Sequence, residues 1–395
     1  MRKFASVSLL TVLSLLAALL LVACGDNTNT PAPAATSSSA TTAAAGATTA
    51  SATTAAGATT AASATTAAGA TTAAAGGTSS GKKLKVGLVT DVGRIDDKSF
   101  NQSAWEGVQK FAKDTGADVK YVETKDTKDY AKNIKQFTDE KYDVVVSVGF
   151  LLGDATTDAA KANPNIKFIG VDQFQQKPVD NLAGLVFEED KAGFLAGVLA
   201  AGMSQKGKIA SILGTKSVPA VARYGEGYKA GAAWLDANHK DMVKAGKTEV
   251  NLTYHPDGDN AFGDPTWGAQ QAQSLIQSGF DVIFGAGGGT GNGAIEGAAS
   301  QGAYVIGVDT DQYLTLPKAA PKMLSSATKL ISDGVYNLLK AAQGGSFKGG
   351  NNVGPVGLAP FHDMDSVIPA GLKDLLKTVD AGLKDGTIKT GVNVG

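Results

Sequence analysis

Three aspartates lie just beyond apolar runs of the sequence and are the first candidates for binding chemistry. They are Asp91, Asp154 and Asp309. A carboxylate at the end of a strand can accept hydrogen bonds from the amine or hydroxyl groups of a small molecule. Each also has a structural interpretation, since Asp91 can cap a loop, Asp154 can cap a following helix and Asp309 can brace backbone N–H groups.

An aromatic side chain stands among polar ones at the start of a predicted helix. Phe100 lies between Ser99 and Asn101, which is a poor place for a core residue. Its ring offers a flat face on which a planar ligand can stack, and packing into the core is the alternative. Asp96 and Asp97 precede this helix, and we interpret them as turn and N-cap residues rather than as ligand contacts.

A glycine-rich run, residues 285–291, joins a predicted strand to a helix. It matches neither the dinucleotide-binding pattern Gly-x-Gly-x-x-Gly nor the phosphate-binding loop that ends in Gly-Lys-Ser/Thr. The backbone N–H groups of Gly287 and Gly288 can donate to a ligand at close range. A tight strand-to-helix turn is the alternative interpretation.

Three further side chains complete the set of candidates. Lys329 is predicted to begin an amphipathic helix, from which it can donate to a ring heteroatom or pair with Asp309; a solvated lysine is the alternative. Phe174 and Trp267 are aromatic residues near predicted cleft edges, where either can stack on a ligand or simply pack.

The elements that must position these residues alternate along the chain after residue 82. Nine runs of β-branched or apolar residues predict strands, at 84–89, 119–122, 144–148, 167–171, 182–187, 208–213, 250–254, 282–284 and 304–308. Amphipathic helical segments separate them, which predicts parallel sheets covered by helices on both faces. Nine strands are many for one sheet, so we expect an α/β fold of two doubly wound lobes, with ligands at the carboxyl ends of strands.

The first 81 residues predict export and tethering. Positive residues precede an apolar run at 4–20, which suits a signal peptide over 1–23, and the only cysteine, Cys24, follows small residues where bacteria attach lipid. An uncleaved membrane anchor is the alternative, although the run is at the short limit for a span. Residues 24–81 are mostly Ala, Thr, Ser and Gly, with no aromatic residue and no large aliphatic one, which predicts a disordered stalk.

The stretch 91–107 resembles the signature of the basic membrane protein family, the purine nucleoside receptor lipoproteins, in which Asp-x-Gly-x-x-Asp-Asp-x-Ser-Phe-Asn precedes a Trp-Glu-Gly helix. Four more segments agree in sequence and order, at 148–154, 185–197, 286–291 and 306–312. One departure is the stretch 254–268, which is longer than the family pattern and carries Trp267 in place of a basic residue.

The resemblance implies a type I periplasmic-binding fold whose two lobes are joined by three crossovers and hold a nucleoside, with a purine preferred, in the cleft. It implies a lipid-anchored, extracytoplasmic, monomeric protein that serves the permease of an ABC importer. From the residue chemistry and the resemblance together, the predicted ligand-binding residues are Asp91, Phe100, Asn101, Asp154, Trp267, Gly287, Gly288, Asp309 and Lys329. A sugar- or autoinducer-type receptor of the same fold stays open as an alternative.

We divide the folded part into a first lobe, 82–189 plus 310–350, and a second lobe, 190–309 plus 351–395. Crossovers are then expected near 187–191, 308–313 and 350–357.

Catalysis, cofactors and nucleic acid are not expected. The chain has three histidines, and we find no serine-nucleophile elbow, no His-Glu-x-x-His pair and no cysteine nucleophile. A nucleoside hydrolase that holds calcium through its aspartates is the remaining enzymatic alternative. The formal net charge of -1 provides no basic field for nucleic acid.

Overall fold

The structure is a computed structural model that describes residues 82–394. The predicted signal peptide, Cys24 and the stalk lie outside the described residues. Among the helices of residues 82–394, none combines the length and the apolar character that a membrane span requires.

Twelve strands and ten α-helices alternate over residues 82–394. The strands are β1 Lys85–Val92, β2 Asp118–Thr124, β3 Val144–Val148, β4 Lys167–Val171, β5 Leu182–Phe187, β6 Lys208–Thr215, β7 Glu249–His255, β8 Val282–Ala286, β9 Tyr304–Asp309, β10 Met323–Lys329, β11 Gly350–Gly354 and β12 Val356–Leu358. The helices are α1 Phe100–Thr115, α2 Tyr130–Asp139, α3 Gly153–Ala162, α4 Glu189–Met203, α5 Pro219–Asn238, α6 Pro265–Gln277, α7 Gly288–Ser300, α8 Gln312–Thr315, α9 Ile331–Gln343 and α10 Ala370–Asp385.

The strands form two six-stranded sheets of the same winding. Their orders are β11-β5-β4-β3-β1-β2 and β12-β10-β9-β8-β6-β7. All neighbours are parallel except β12, which runs antiparallel to β10. Each of the nine predicted strands overlaps an observed strand, so the predicted α/β fold of two doubly wound lobes is confirmed.

The chain passes between the lobes three times, between β5 and α4, between β10 and α9, and between β11 and β12. The predicted division differs at the second passage. Strand β10 pairs with β9 in the second sheet, and only α9, whose Val335 and Leu339 join the first core, belongs to the first lobe. The expected crossover at 308–313 therefore lies at Lys329–Ile331. Strand β10 was missed because its centre, Ser325 and Ser326, interrupts the apolar run; both hydroxyls are buried and hydrogen-bonded.

The second lobe contains a helix pair held at unusually short range. Helix α4 is apolar and almost wholly buried, and it packs against α5 through glycines. A Cβ placed on Gly197 would lie 2.0 Å from the carbonyl oxygen of Tyr228, and one on Gly231 would lie 2.0 Å from that of Phe194. Only glycine permits this contact of backbone on backbone.

Candidate functional site

The carboxyl ends of the two sheets face each other across a cleft. Such an edge is where parallel α/β sheets bind ligands. Seven of the predicted binding residues line this cleft, namely Asp91, Phe100, Asn101, Gly287, Gly288, Asp309 and Lys329.

The other two predicted residues, Asp154 and Trp267, lie elsewhere. Asp154 is exposed in the first turn of α3, in a separate groove that Phe174 also borders. Trp267 is half-buried in α6, where its ring meets that of His255 edge-on at 4.6 Å and packs against the second lobe. The packing interpretation of Trp267 fits its position. Asp154 lies inside the first turn of α3, whose N-cap is Leu152, so it does not cap that helix as the alternative interpretation expected.

Asp91 is the penultimate residue of β1, and its carboxylate is buried. The Nδ2 of Asn101 donates to its Oδ1 over 3.1 Å. A Cβ on Gly149, at the end of β3, would lie 2.6 Å from Oδ2 of Asp91, so glycine there leaves room for the carboxylate. Burial raises the pKa of Asp91 to about 7, against the opposing effect of the Asn101 hydrogen bond.

Asp97 caps α1, as predicted. Its carboxylate accepts the backbone N–H groups of Ser99, Asn101 and Gln102 over 2.9, 2.9 and 3.0 Å. These bonds fix the loop that leads into Phe100, and burial raises the pKa of Asp97 to about 6. Asp96 instead forms an exposed pair with Arg94, the turn position expected of it.

Lys329 is the last residue of β10. The prediction that it begins a helix was wrong, because this polar strand was not predicted. Its Nζ lies 2.5 Å from Oδ2 of Asp172, 3.5 Å from Oε1 of Glu189 and 3.8 Å from Oδ1 of Asp309. It also lies 4.6 Å from the ring centroid of Phe100. Burial disfavours the charge on Lys329, but the three carboxylates outweigh it and raise the pKa of Lys329.

Asp172 and Asp309 occupy equivalent places, at the ends of β4 and β9. Both have left-handed backbones, with φ of 59° and 64°, a conformation that is costly for residues other than glycine and concentrates at functional sites. Oδ2 of Asp309 accepts from Oγ of Ser99 over 2.6 Å. Within the described part of the chain, no donor reaches the buried Oδ1 of Asp172. Burial raises the pKa of both carboxyls, against the attraction of Lys329.

Two acidic residues of the cluster were missed by sequence reasoning. Asp172 directly follows the predicted strand 167–171, so the strand-end rule that selected Asp91 also points to it. Glu189 lies in the matched segment 185–197, is fully buried and accepts from Nε of Arg223 over 2.7 Å. Burial raises the pKa of Glu189, whereas Lys329 lowers it.

The stretch 254–268, which departs from the family pattern, contributes the ring of Phe262 to the cleft. It lies close to the glycine turns of the second lobe, since a Cβ on Gly214 would be 2.5 Å from Cε1 of Phe262. Gly287 and Gly288 have φ of 154° and 54°, so this turn requires glycine whether or not its N–H groups meet a ligand.

Within residues 82–394, no group of three or more His, Asp or Glu side chains is arranged to hold a metal ion. Lys329 occupies the middle of the carboxylates that come nearest to such a group. The geometry favours a small molecule that combines a planar ring with several hydrogen-bond donors.

Comparison with known proteins agrees with the sequence resemblance. A model of the Bmp family, described as ABC transporter substrate-binding protein PnrA-like, matches residues 84–354. A CD4+ T-cell-stimulating antigen of Listeria monocytogenes is 32% identical over 335 residues, which cover 78% of this chain and 88% of that protein. The ABC transporter nucleoside-binding protein BmpA of Lactococcus lactis is 32% identical over 288 residues, 68% of this chain and 78% of that one. An uncharacterized lipoprotein of Pyrococcus abyssi is 31% identical over 68% of this chain and 66% of its own.

Solved structures share the fold. A solute-binding protein of an ABC transporter system from Aeropyrum pernix aligns with a TM-score of 0.69 and 23% identity, over 78% of this chain and 92% of that one. One from Conexibacter woesei aligns with a TM-score of 0.60 and 20% identity, over 79% and 99%. These solute-binding proteins have two lobes of the type I periplasmic-binding fold. The chain therefore belongs to the Bmp family of ABC transporter substrate-binding proteins.

Proposed function

We propose that this protein binds a nucleoside in the interlobe cleft and delivers it, chemically unchanged, to the permease of an ABC importer. One observation carries the proposal. Two buried acceptor atoms of residues that line the cleft with Phe100, Oδ1 of Asp172 and Oδ1 of Asn101, have no hydrogen-bond donor among residues 82–394. A buried acceptor without a donor costs about 1–3 kcal/mol, and a ligand with a flat face and hydroxyl or amino donors removes that cost.

The charged cluster suits the ribose. Asp172 and Asp309 lie on either side of Lys329, and a vicinal diol supplies two donors that one carboxylate can accept together. Lys329 pairs with both carboxylates, which orients them and favours their ionised form against the effect of burial. The ligand's sugar would then lie near the crossovers, where both lobes can contact it.

The aromatic and amide side chains suit the base. Phe100 offers its ring face, Phe262 lines the cleft from the second lobe, and Asp91 with Asn101 presents acceptors and donors to a base edge. More than one aromatic in the cleft favours a nucleobase over a free sugar. A relative named for nucleoside binding, BmpA of Lactococcus lactis, supports the same ligand class.

We further propose that Cys24 carries a lipid and that residues 24–81 tether the domain outside the cytoplasmic membrane. The lipobox-like sequence supports this, as does the relative named as a lipoprotein in Pyrococcus abyssi. A Cys24→Ser variant should lose the lipid and leave the membrane fraction. A variant that stays in the membrane fraction as the wild type does would overturn the tether.

The nucleoside proposal is tested by mass spectrometry of small molecules released on mild denaturation, followed by calorimetry with guanosine, inosine, cytidine and ribose. We expect the nucleosides to bind and ribose to bind far more weakly. Tight binding of ribose, or no binding of any nucleoside, would overturn the proposal. Incubation with inosine should yield no free hypoxanthine, and its appearance would instead favour a hydrolase.

A further inference from the structure

We propose that Asn292, Gln312 and Thr315 form an interlobe latch that holds the Phe100 loop in its binding position. The latch is defined as these three side chains of the second lobe. The inference rests on the proposed function, because the binding position is that of a nucleoside on Phe100. None of the three residues lines the cleft.

The latch grips backbone carbonyls of the first lobe. Nδ2 of Asn292 donates to the carbonyl oxygen of Asp97 over 2.6 Å. Nε2 of Gln312 and Oγ1 of Thr315 each donate to the carbonyl oxygen of Lys98 over 3.0 Å. Three donors from two elements of the second lobe, α7 and α8, thus converge on two consecutive peptide groups.

Gln312 is itself fixed on the second lobe. It is fully buried, and its Oε1 accepts the backbone N–H of Val308 over 2.9 Å. Its own N–H donates to Oγ of Ser326 over 3.0 Å, and Nε2 also donates to Oδ1 of Asn292 over 2.8 Å. The latch donors are therefore oriented by the second lobe and do not depend on the first lobe for their geometry.

The gripped loop has an unfavourable backbone conformation that needs outside support. Lys98 has a φ of 60°, a value that residues other than glycine, asparagine and aspartate seldom adopt. The loop continues directly into Ser99, which donates to Asp309, and into Phe100 and Asn101 in the cleft. Releasing the carbonyls would let the loop relax and move these side chains, so the latch residues are positioning residues for the ligand.

The test uses substitutions that remove hydrogen-bond donors. Gln312→Glu keeps the oxygen that accepts from Val308 but loses the donors to Lys98 and Asn292. Thr315→Val is isosteric and loses one donor, and Thr315→Ser, which keeps the hydroxyl, is its matched control. We expect inosine affinity to fall about tenfold in Gln312→Glu and about threefold in Thr315→Val, as for one or two hydrogen bonds, and to stay at the wild-type value in Thr315→Ser.

A second readout does not depend on any ligand. The amides of Ser99, Asn101 and Gln102 donate to Asp97, and their hydrogen exchange should accelerate in Gln312→Glu and Thr315→Val while the rest of both lobes exchanges as in the wild type. Exchange at these amides that equals the wild-type rate overturns the latch. Acceleration spread over the whole second lobe also overturns it, because that is the signature of a merely structural role.

The two proposals fail in different ways. If wild-type protein binds no nucleoside, the proposed function fails, and the exchange measurement still decides whether the second lobe holds the loop. If the wild type binds inosine but both variants bind it equally well, the latch fails alone. Should Gln312→Glu not fold, the half-buried Thr315 pair of variants carries the decision in both measurements.

Discussion

The two lobes present similar backbones but different side chains to the cleft. The third strand of each lobe ends at a glycine with positive φ, Gly149 or Gly287, and the fourth at a left-handed aspartate, Asp172 or Asp309. The first strands differ, because β1 leads to the buried carboxylate Asp91 whereas β6 ends near glycine.

This difference suggests a division of roles. The first lobe supplies Phe100, Asn101 and Asp91, which can contact the ring and the donors of a ligand. The second lobe supplies Asp309 and Lys329, and the rest of its wall consists of small apolar residues and glycine with the rings of Tyr224 and Phe262. A repeated backbone thus gives both lobes the same edge geometry. Apart from the charged residues around Lys329, the side chains assign recognition mainly to the first lobe and enclosure of the ligand mainly to the second. The following substitutions test that assignment, in order of decreasing expected effect.

The strongest test removes the cation that both lobes share. Lys329→Met should lower the free energy of unfolding at pH 7 by about 3–5 kcal/mol, because it removes the cation that three buried carboxylates share. The loss should shrink as the pH falls, because unpaired carboxyls in the folded state bind protons more tightly than in the unfolded state. Urea unfolding of wild type and variant at two pH values measures this. Lys161→Met, at an exposed position, is the control, and an equal loss there would contradict the buried-pair explanation.

The second test compares the equivalent aspartates. Wild-type protein should prefer guanosine to 2'-deoxyguanosine by about 1.5–3 kcal/mol, the value of a hydrogen bond to a charged group. Asp172→Ala should reduce this preference more than Asp309→Ala, because Oδ1 of Asp172 has no protein partner whereas Asp309 already accepts from Ser99.

Calorimetry with both ligands on each variant gives the coupling energies. Asp154→Ala, outside the cleft, should leave the preference unchanged. A coupling energy near zero for both aspartates would return them to a purely structural role at the hinge.

The third test compares the aromatic residues. Phe100→Ala should weaken guanosine binding by about 1–3 kcal/mol, the range for a base stacked on an aromatic side chain. Phe262→Ala, in the second lobe, should weaken guanosine binding less if that lobe mainly encloses the ligand. Phe174→Ala is the control, since Phe174 is 68% exposed and lies outside the cleft. Equal losses at Phe100 and Phe262 would remove the proposed difference between the lobes.

The smallest expected effect is a pH dependence of binding. Asp91 has its pKa raised to about 7 by burial, so its ionised fraction grows as the pH rises through neutrality. If a base N–H donates to the carboxylate, affinity should increase from pH 6 to 8, by at most about tenfold per pH unit. Asp91→Asn should flatten this profile in calorimetry, and a wild-type profile that is already flat would exclude the contact.

The same pKa has a consequence for stability. Because the folded-state pKa of Asp91 lies above the ordinary value of 3.8, the folded state binds more protons than the unfolded state between about pH 4 and 7. Ionisation of Asp91 therefore opposes folding, and this contribution lowers stability as the pH rises through that window.

The fold could be predicted because its strands are buried on both faces. Runs such as 144–148 and 167–171 are apolar except for Ser147 and Lys167, and their bounds were predicted to the residue. Strand β10 could not be found in this way, since its serines are satisfied by contacts with Gln312 and Ala359 that no local pattern reveals. The misplaced crossover and the helical assignment of Lys329 both follow from that one omission.

Residues of the candidate site could be predicted where their position at the end of a strand places them in the cleft. They could not be predicted where the packing of a loop places them there. Asp91 and Asp309 follow from strand ends, and Asp172 would have followed from the same rule. The choice between Trp267 and Phe262 depends on the path of a long loop, which brings Phe262 against Gly214 and leaves Trp267 beside His255. Such a path is set by contacts between residues far apart in sequence.

The order of the three passages between the lobes also governs how the protein is made. When synthesis has reached the end of β5 at Phe187, the first sheet still lacks its edge strand β11, and α1 lacks the helix α9 that covers it. Both are supplied only after the whole of β6 to β10 has been translated. The first lobe therefore keeps an unpaired sheet edge and uncovered apolar side chains until the chain up to Gly354 is available to fold, and the second lobe is completed soon afterwards by β12 and α10.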